Sequence, residues 1–487
     1  MTPSTPRIER YPRVFISVVC ALACMSALAD IKLPKILDSG MVLQRNTQVN
    51  LWGWADPGES VTINGDWLKR GYKTVADRSG NWKVSIPTRD AGSAHSITFS
   101  GKNTIKLTDI LFGEVWIGSG QSNMEMPLAA VSNAYTGISD SDTEIAAANF
   151  PDIRLFQVGN YSSKEPLEDV EEGIVMYGVP VSDCTWRPCT PETIPHFSST
   201  AYFFAAELHR QLGVPIGIID ASWGGTSAEA WTPLSGLEKL DYEKEVEEAI
   251  QLPLEPEKKI PTRLYNGMIH PLRNYSIKGV VWYQGESNRL RPEKYHDLFS
   301  TMISEWRSAF GHKFPFYFAQ IAPFNYGEAN AAFLREAQAQ TESVPRTGMV
   351  VTMDIGNEED IHPKNKREVS RRFALLALAN DYGKDIVSSG PKLRKSRFDK
   401  TRSYLTFEYA KDGLITRDGK TPDFFEIAGS DKVFHPATAT IDGHTLSVSS
   451  PSVQNPKAVR FAFSNLASPN LTNTAGLPAQ PFRTDDW

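Results

Sequence analysis

The 487-residue chain is 41% hydrophobic and 22% charged, with 51 Lys and Arg against 57 Asp and Glu and a formal net charge of −6. These values exclude a disordered, collagen-like or coiled-coil chain, and the acidic balance gives no electrostatic reason to expect nucleic acid as a partner. The length allows two to four domains, because one core rarely grows beyond about 250–300 residues.

The first element reads as an export signal, residues 1–29. Arg7, Arg10 and Arg13 make a basic start, and Val14 to Leu28 is apolar apart from Ser17 and Ser26. Ala27-Leu28-Ala29 then supplies a small-residue cleavage site before Asp30. At roughly 15 residues the apolar run is short of the ~20 that a spanning helix needs, so cleavage near Ala29 is expected. The mature chain is then periplasmic or secreted. No later run is apolar enough to cross a membrane. Lipid anchoring at Cys24 is the lesser alternative, because Ala21-Leu22-Ala23 is a poor lipoprotein box. Cleavage leaves Cys184 and Cys189, for which a small-loop disulfide and two free thiols both fit.

Residues 30–110 read as a small β-sandwich. Val49 to Trp54, Ser60 to Ile63 and Trp82 to Ile86 are strand-like, with turn signals at Asp56-Pro57-Gly58 and Asp77-Arg78-Ser79-Gly80. Residues 111–390 read as an α/β domain. Its strands are Glu114 to Gly118, Ile216 to Asp220, Gly279 to Tyr283, Phe316 to Gln320 and Met349 to Asp354. Helices are expected at Ser199 to Leu212, ended by Gly213, and around Tyr295 to Phe310. Such alternation predicts a parallel sheet with helices on both faces, and a ligand beyond the carboxyl ends of its strands. Residues 391–487 read as β-rich.

The strand ends carry the chemistry. The first runs into Ser119-Gly120-Gln121-Ser122-Asn123-Met124, where a serine in a Gly-containing turn projects its hydroxyl above the sheet. A helix cap is the structural alternative for Ser122. The next ends in Ser222-Trp223-Gly224-Gly225-Thr226, whose glycines let a backbone N–H approach a ligand. Gln284-Gly285-Glu286-Ser287-Asn288 gathers four polar side chains at a buried strand end. Asp360-Ile361-His362-Pro363 puts a histidine beside acidic groups, which suits a general base.

Serine, glycine, asparagine, then aspartate and histidine is an order that resembles the SGNH (GDSL-like) hydrolases. Glu114-Val115-Trp116 leading into Gly120-Gln121-Ser122-Asn123-Met124, Trp282-Tyr283-Gln284-Gly285-Glu286-Ser287-Asn288 and Ile361-His362-Pro363 look like the sialate O-acetylesterase family. Met41 to Arg45 near the start and Gly476 to Ala479 with Pro481 to Asp485 at the end extend the resemblance over almost the whole mature chain.

The resemblance implies an SGNH-hydrolase-like fold and the removal of O-acetyl groups from a sugar through an acetyl-serine, with no metal or cofactor. It implies Ser122 as nucleophile and His362 as base. The oxyanion donors would be the N–H of Ser122, the N–H of Gly225, and an amide of Gln284 or Asn288. Asp360 ranks first as the acid that orients His362. Glu286 ranks second, as related carbohydrate esterases suggest. Glu359 ranks third, at the position three before the histidine where many SGNH enzymes carry Asp. A carboxylate neighbour is expected to raise the His362 pKa. Sialic acid esters are the first substrate reading, with acetylxylan and acetylated pectin as alternatives. A non-catalytic carbohydrate-binding protein is the rival of another class.

Overall fold

From Ile110 to Gly120 every side chain is buried, whereas Thr104 to Asp109 is mostly exposed. Both stretches belong to one 17-residue strand, β7 (Thr104–Gly120), in the computed structural model. The structure describes residues 30–131, 134–173, 182–240, 242, 244, 246–247, 257–328 and 330–487. The segment read as an export signal lies outside these residues.

The exposed half of β7 pairs antiparallel with β6 (His95–Ser100). Next to it lie β3 (Ser60–Gly65) and β4 (Tyr72–Val75), while β2 (Gln48–Trp54) pairs with β5 (Asn81–Pro87). The short β1 (Val42–Gln44) runs parallel to β7 from Leu111 to Gly113. The buried half of β7 is the centre of a parallel sheet. On one side are β10 (Ile216–Ser222) and β8 (Phe150–Gln157), with β9 (Trp186–Cys189) antiparallel at the edge. On the other are β11 (Gly279–Tyr283), β12 (Phe316–Ala319) and β13 (Thr347–Val350). A strand covered on both faces reads as a continuous apolar run, which is what Val115, Trp116 and Ile117 supply.

The two faces are filled differently. Trp116, Val281 and Tyr317 pack under α3 (Ser199–Leu212) and α7 (Lys366–Asp381). Val115, Ile117 and Trp282 pack under α5 (Pro292–Phe310) and α6 (Ala331–Gln340). Helix α3 starts where Ser198 accepts the Ala201 N–H and stops where Gly213 turns left-handed at φ 64°. Beyond α7 the described chain is built of strands, as read. It is fastened to α6 by Arg335, which donates to the carbonyls of Ser464 and Asn465.

Three details differ from expectation or settle an alternative. Strand β13 stops at Val350, because its one neighbour, β12, stops at the paired Ala319. Asp354 is therefore in the following turn, clamped by both terminal nitrogens of Arg372. Cys184 and Cys189 are separate buried thiols. No helix among the described residues is long and apolar enough to cross a membrane.

The sheet order changes sides at β7, since the chain passes to β8 and back inward to β10 on one side and then outward from β11 to β13 on the other. Such a switch point leaves a crevice at the carboxyl ends. Gly120 closes β7 there with φ 139°, and an added Cβ would collide with the Tyr283 carbonyl oxygen of β11. Gly120→Ala is expected to destabilise the fold by about 3 kcal/mol. A urea midpoint within experimental error of the parent would contradict this close approach.

Candidate active site

Beyond Gly120 the chain turns through Gln121 into α1 (Ser122–Glu125). The Gln121 side-chain oxygen accepts the backbone N–H groups of Gly285 and Ser287, joining this turn to the loop after β11. Ser122 is half-buried. Neither its hydroxyl nor its N–H has a hydrogen-bond partner among the described residues.

Asn123 is fully buried and its amide is saturated. Its Nδ2 donates to Glu286 Oε1 at 2.6 Å and to the Ile361 carbonyl at 3.1 Å. Its Oδ1 accepts from Lys366 Nζ at 2.5 Å. The residue after Ser122 is thus bonded to the residue before His362. This links the β7 turn to the loop beyond β13, about 240 residues away in sequence.

His362 keeps about a fifth of its side chain exposed. Asp360 Oδ1 accepts the His362 backbone N–H at 2.9 Å and lies 3.7 Å from Nδ1, longer than a hydrogen bond. Among the described residues Asp360 is the carboxylate within 4 Å of this ring. Glu286 is turned to Asn123, and Glu359 is exposed. The Tyr135 ring meets the imidazole edge-on at 5.1 Å between centroids.

The loop after β10 is tied down from below. Gly224 donates its N–H to Glu125 Oε2, which also accepts Tyr135 Oη at 2.9 Å. Asn160 donates to the other carboxyl oxygen. With the Gly224 N–H consumed, Gly225 is the glycine whose N–H has no acceptor among the described residues. Gly225 is exposed, with φ 75°. Lys258 donates to the Gly224 carbonyl at 2.7 Å and lies over the Trp223 ring.

The Gln284–Asn288 loop corrects one expectation. Gln284 donates both N–H groups inward, to the Thr226 carbonyl and to Asn288 Oδ1, and accepts from Tyr295. It has no N–H to offer a ligand. Asn288 spends one N–H on Glu229 and has a second.

Burial dominates the electrostatics. It lowers His362 to about 4, with the Lys366 ammonium adding to the fall and Asp360 opposing it. The expected upward shift is therefore reversed, because one flanking carboxylate is outweighed by desolvation and a cation. Burial lowers Lys366 to about 7 against the pull of Glu286 and Asp360. It raises Glu286, and lifts Glu125 to about 7. No group of three His, Cys, Asp or Glu side chains among the described residues is arranged to hold a metal ion.

Sequence reasoning passed over Glu125, Lys366 and Tyr135. The first two carry a weak signal: Glu125 lies three residues after Ser122, and Lys366 four after His362 on a new helix. Tyr135 carries none, because its place depends on how the chain returns after α1.

The family described as "carbohydrate esterase, sialic acid-specific acetylesterase" matches residues 113–378. The sialate O-acetylesterase of Mus musculus is 29% identical over 480 residues, covering 85% of each chain. That of Homo sapiens is 29% identical over 445 residues, covering 83% of this chain and 81% of that one. The crystal structure of a carbohydrate acetylesterase from Xanthomonas citri superposes with a TM-score of 0.84 at 37% identity, over 94% of this chain and all of that one.

The geometry predicts how His362 titrates. The folded site disfavours the imidazolium, so the ring stays neutral well below the ordinary ~6.5. An NMR titration of the His362 ring is expected to inflect below pH 5.5. An inflection at or above 6.5 would show that Asp360 outweighs burial.

Proposed function

The chain belongs to the sialic acid-specific acetylesterase family of carbohydrate esterases, and on that premise we propose that it is a serine esterase that removes O-acetyl groups from sialic acids. The observation that supports the site reading is the Asn123 bridge to Ile361, which ties the neighbour of Ser122, whose hydroxyl has no partner among the described residues, to the neighbour of His362.

In this reading Ser122 Oγ attacks the acetyl carbonyl carbon and passes its proton to the neutral His362. The carbonyl electrons move to oxygen, which receives the N–H groups of Ser122 and Gly225 and the second N–H of Asn288. The C–O bond to the sugar then breaks, and His362 gives its proton to the departing hydroxyl. Water repeats the cycle against the acetyl-serine, releasing acetate and returning the proton to Ser122. Asp360 holds the imidazole by its backbone and its charge.

Lys258 favours an acidic sugar. Its ammonium lies beside Gly225 and over Trp223, and the nearest acid below it, Glu125, is buried and pushed toward neutrality. Sialic acid brings a carboxylate to such a cation. The main-chain sugars of xylan do not. We further read residues 1–29 as an export signal that leaves a periplasmic or secreted enzyme. N-terminal sequencing of the exported protein is expected to begin at Asp30.

Ser122→Ala is expected to lower turnover of an activated acetate to below a few per cent while circular dichroism stays unchanged. A folded mutant with near-parental turnover would make Ser122 a helix cap and not the nucleophile, and a parent that releases no acetate would favour a binding protein. Among the carboxylates, Asp360→Asn is expected to be the most severe, by up to the ~10⁴-fold seen when a triad acid becomes an amide. Glu359→Gln is expected to be silent. A larger loss in Glu286→Gln than in Asp360→Asn would move the orienting role to the β11 loop. Acetate release measured side by side on acetylated sialic acid, xylan and pectin is expected to rank sialic acid first. A first rank for xylan or pectin would overturn the substrate.

A further inference from the structure

We propose that Lys366 is a positioning residue of this site: by hydrogen-bonding Asn123 it locks the turn that carries Ser122 to the loop that carries His362, and it sets a positive charge near the imidazole. The proposal rests on the roles given above to Ser122 and His362.

A fully buried ammonium is costly and is retained only where its bonds compensate. Lys366 is the first residue of α7, where packing alone would accept an unbranched apolar side chain. Its head group instead meets the Asn123 side-chain oxygen and lies over the Tyr283 ring, 5.4 Å from the centroid. An asparagine amide can be turned either way. With Lys366 as donor, only one orientation is satisfied: the oxygen faces the ammonium and both N–H groups face Glu286 and Ile361. Reversed, the amide would aim N–H at the ammonium and oxygen at two acceptors. Lys366 therefore reinforces, from the oxygen side, the orientation in which Asn123 reaches the Ile361 carbonyl.

Charge is the second effect. His362 is faced by Asp360 on its own loop, by Lys366 from α7 and by the Tyr135 ring. Glu286 from the β11 loop and Glu125 from α1 reach it only through Asn123 and Tyr135. Lys366 is faced by Glu286, Asp360, His362 and Tyr283, with Arg289 bearing on Glu286. In the acid range where His362 protonates, Lys366 carries its proton, so it opposes a second positive charge nearby.

The test uses Lys366→Gln, which keeps a donor and loses the charge, and Lys366→Met, which loses both. Activity on an activated acetate is measured across pH. Both variants are expected to move the acid limb of kcat/KM upward by roughly one pH unit. Lys366→Met is also expected to lower kcat by about 10–100-fold with KM within about twofold, and Lys366→Gln by less. An acid limb that coincides with the parent in both variants overturns the proposal, as does a change confined to KM. If neither variant folds, the parent decides it: the ¹⁵N resonances of the His362 ring are expected to shift again as Lys366 titrates, and a single-step titration overturns the proposal. Should Ser122→Ala stay active, the site reading itself fails. Should Ser122→Ala be inactive while the Lys366 variants match the parent, only this proposal fails.

Discussion

One buried carboxamide organises the crevice. Asn123 spends its three hydrogen-bonding groups on Glu286 after β11, Ile361 beside His362, and Lys366 at the start of α7. Each of these partners is held on a different element, and the Asn123 backbone carbonyl is itself bound by Thr200 of α3. A polar group with no access to water is costly to leave unpaired, so the four elements are held in one relative position. Ser122 inherits that position as the residue just before it.

The same burial that makes Asn123 exacting sets the protonation states around it. Desolvation and a neighbouring cation disfavour the charged form of His362. Glu125 is pushed toward neutrality beside the Gly224–Gly225 loop, yet its three hydrogen bonds with Asn160, Tyr135 and Gly224, together with the Lys258 charge, hold it in place. The loop is thereby bound at Gly224, while the N–H of Gly225 has no acceptor among the described residues. Specificity of geometry is obtained here at the expense of desolvation.

The far end of the sheet is braced as firmly. Gln44 accepts the Val115 N–H and donates to Glu114, which also binds Arg45 and Tyr382. Tyr275 donates to the Val42 carbonyl. These contacts tie the N-terminal strands to the start of the parallel half of β7. Arg335, with 1% of its surface exposed, bonds the C-terminal strands to the loop after β12. The crevice thus sits on a strand that is fixed at both ends, which favours precise placement of a reacting group.

Local pattern was enough for much of this molecule. Continuous apolar runs marked β7, β10 and β11. Gly213 marked the end of α3, and words of four or more residues at strand ends singled out Ser122, Gly225 and His362 as candidates. These features follow from short-range rules: side-chain period, backbone freedom at glycine, and the reach of a turn. Other features did not. That Gln284 is consumed internally depends on Thr226, Asn288 and Tyr295 arriving around it. That Glu286 is spent on Asn123 depends on the β7 turn and the β11 loop meeting in the finished fold. The direction of the His362 shift depends on how much water the finished fold removes and on a lysine from α7. Hydrogen-bond competition and desolvation are properties of the assembled neighbourhood, so residue order alone could name the groups but not which of them remain free to act.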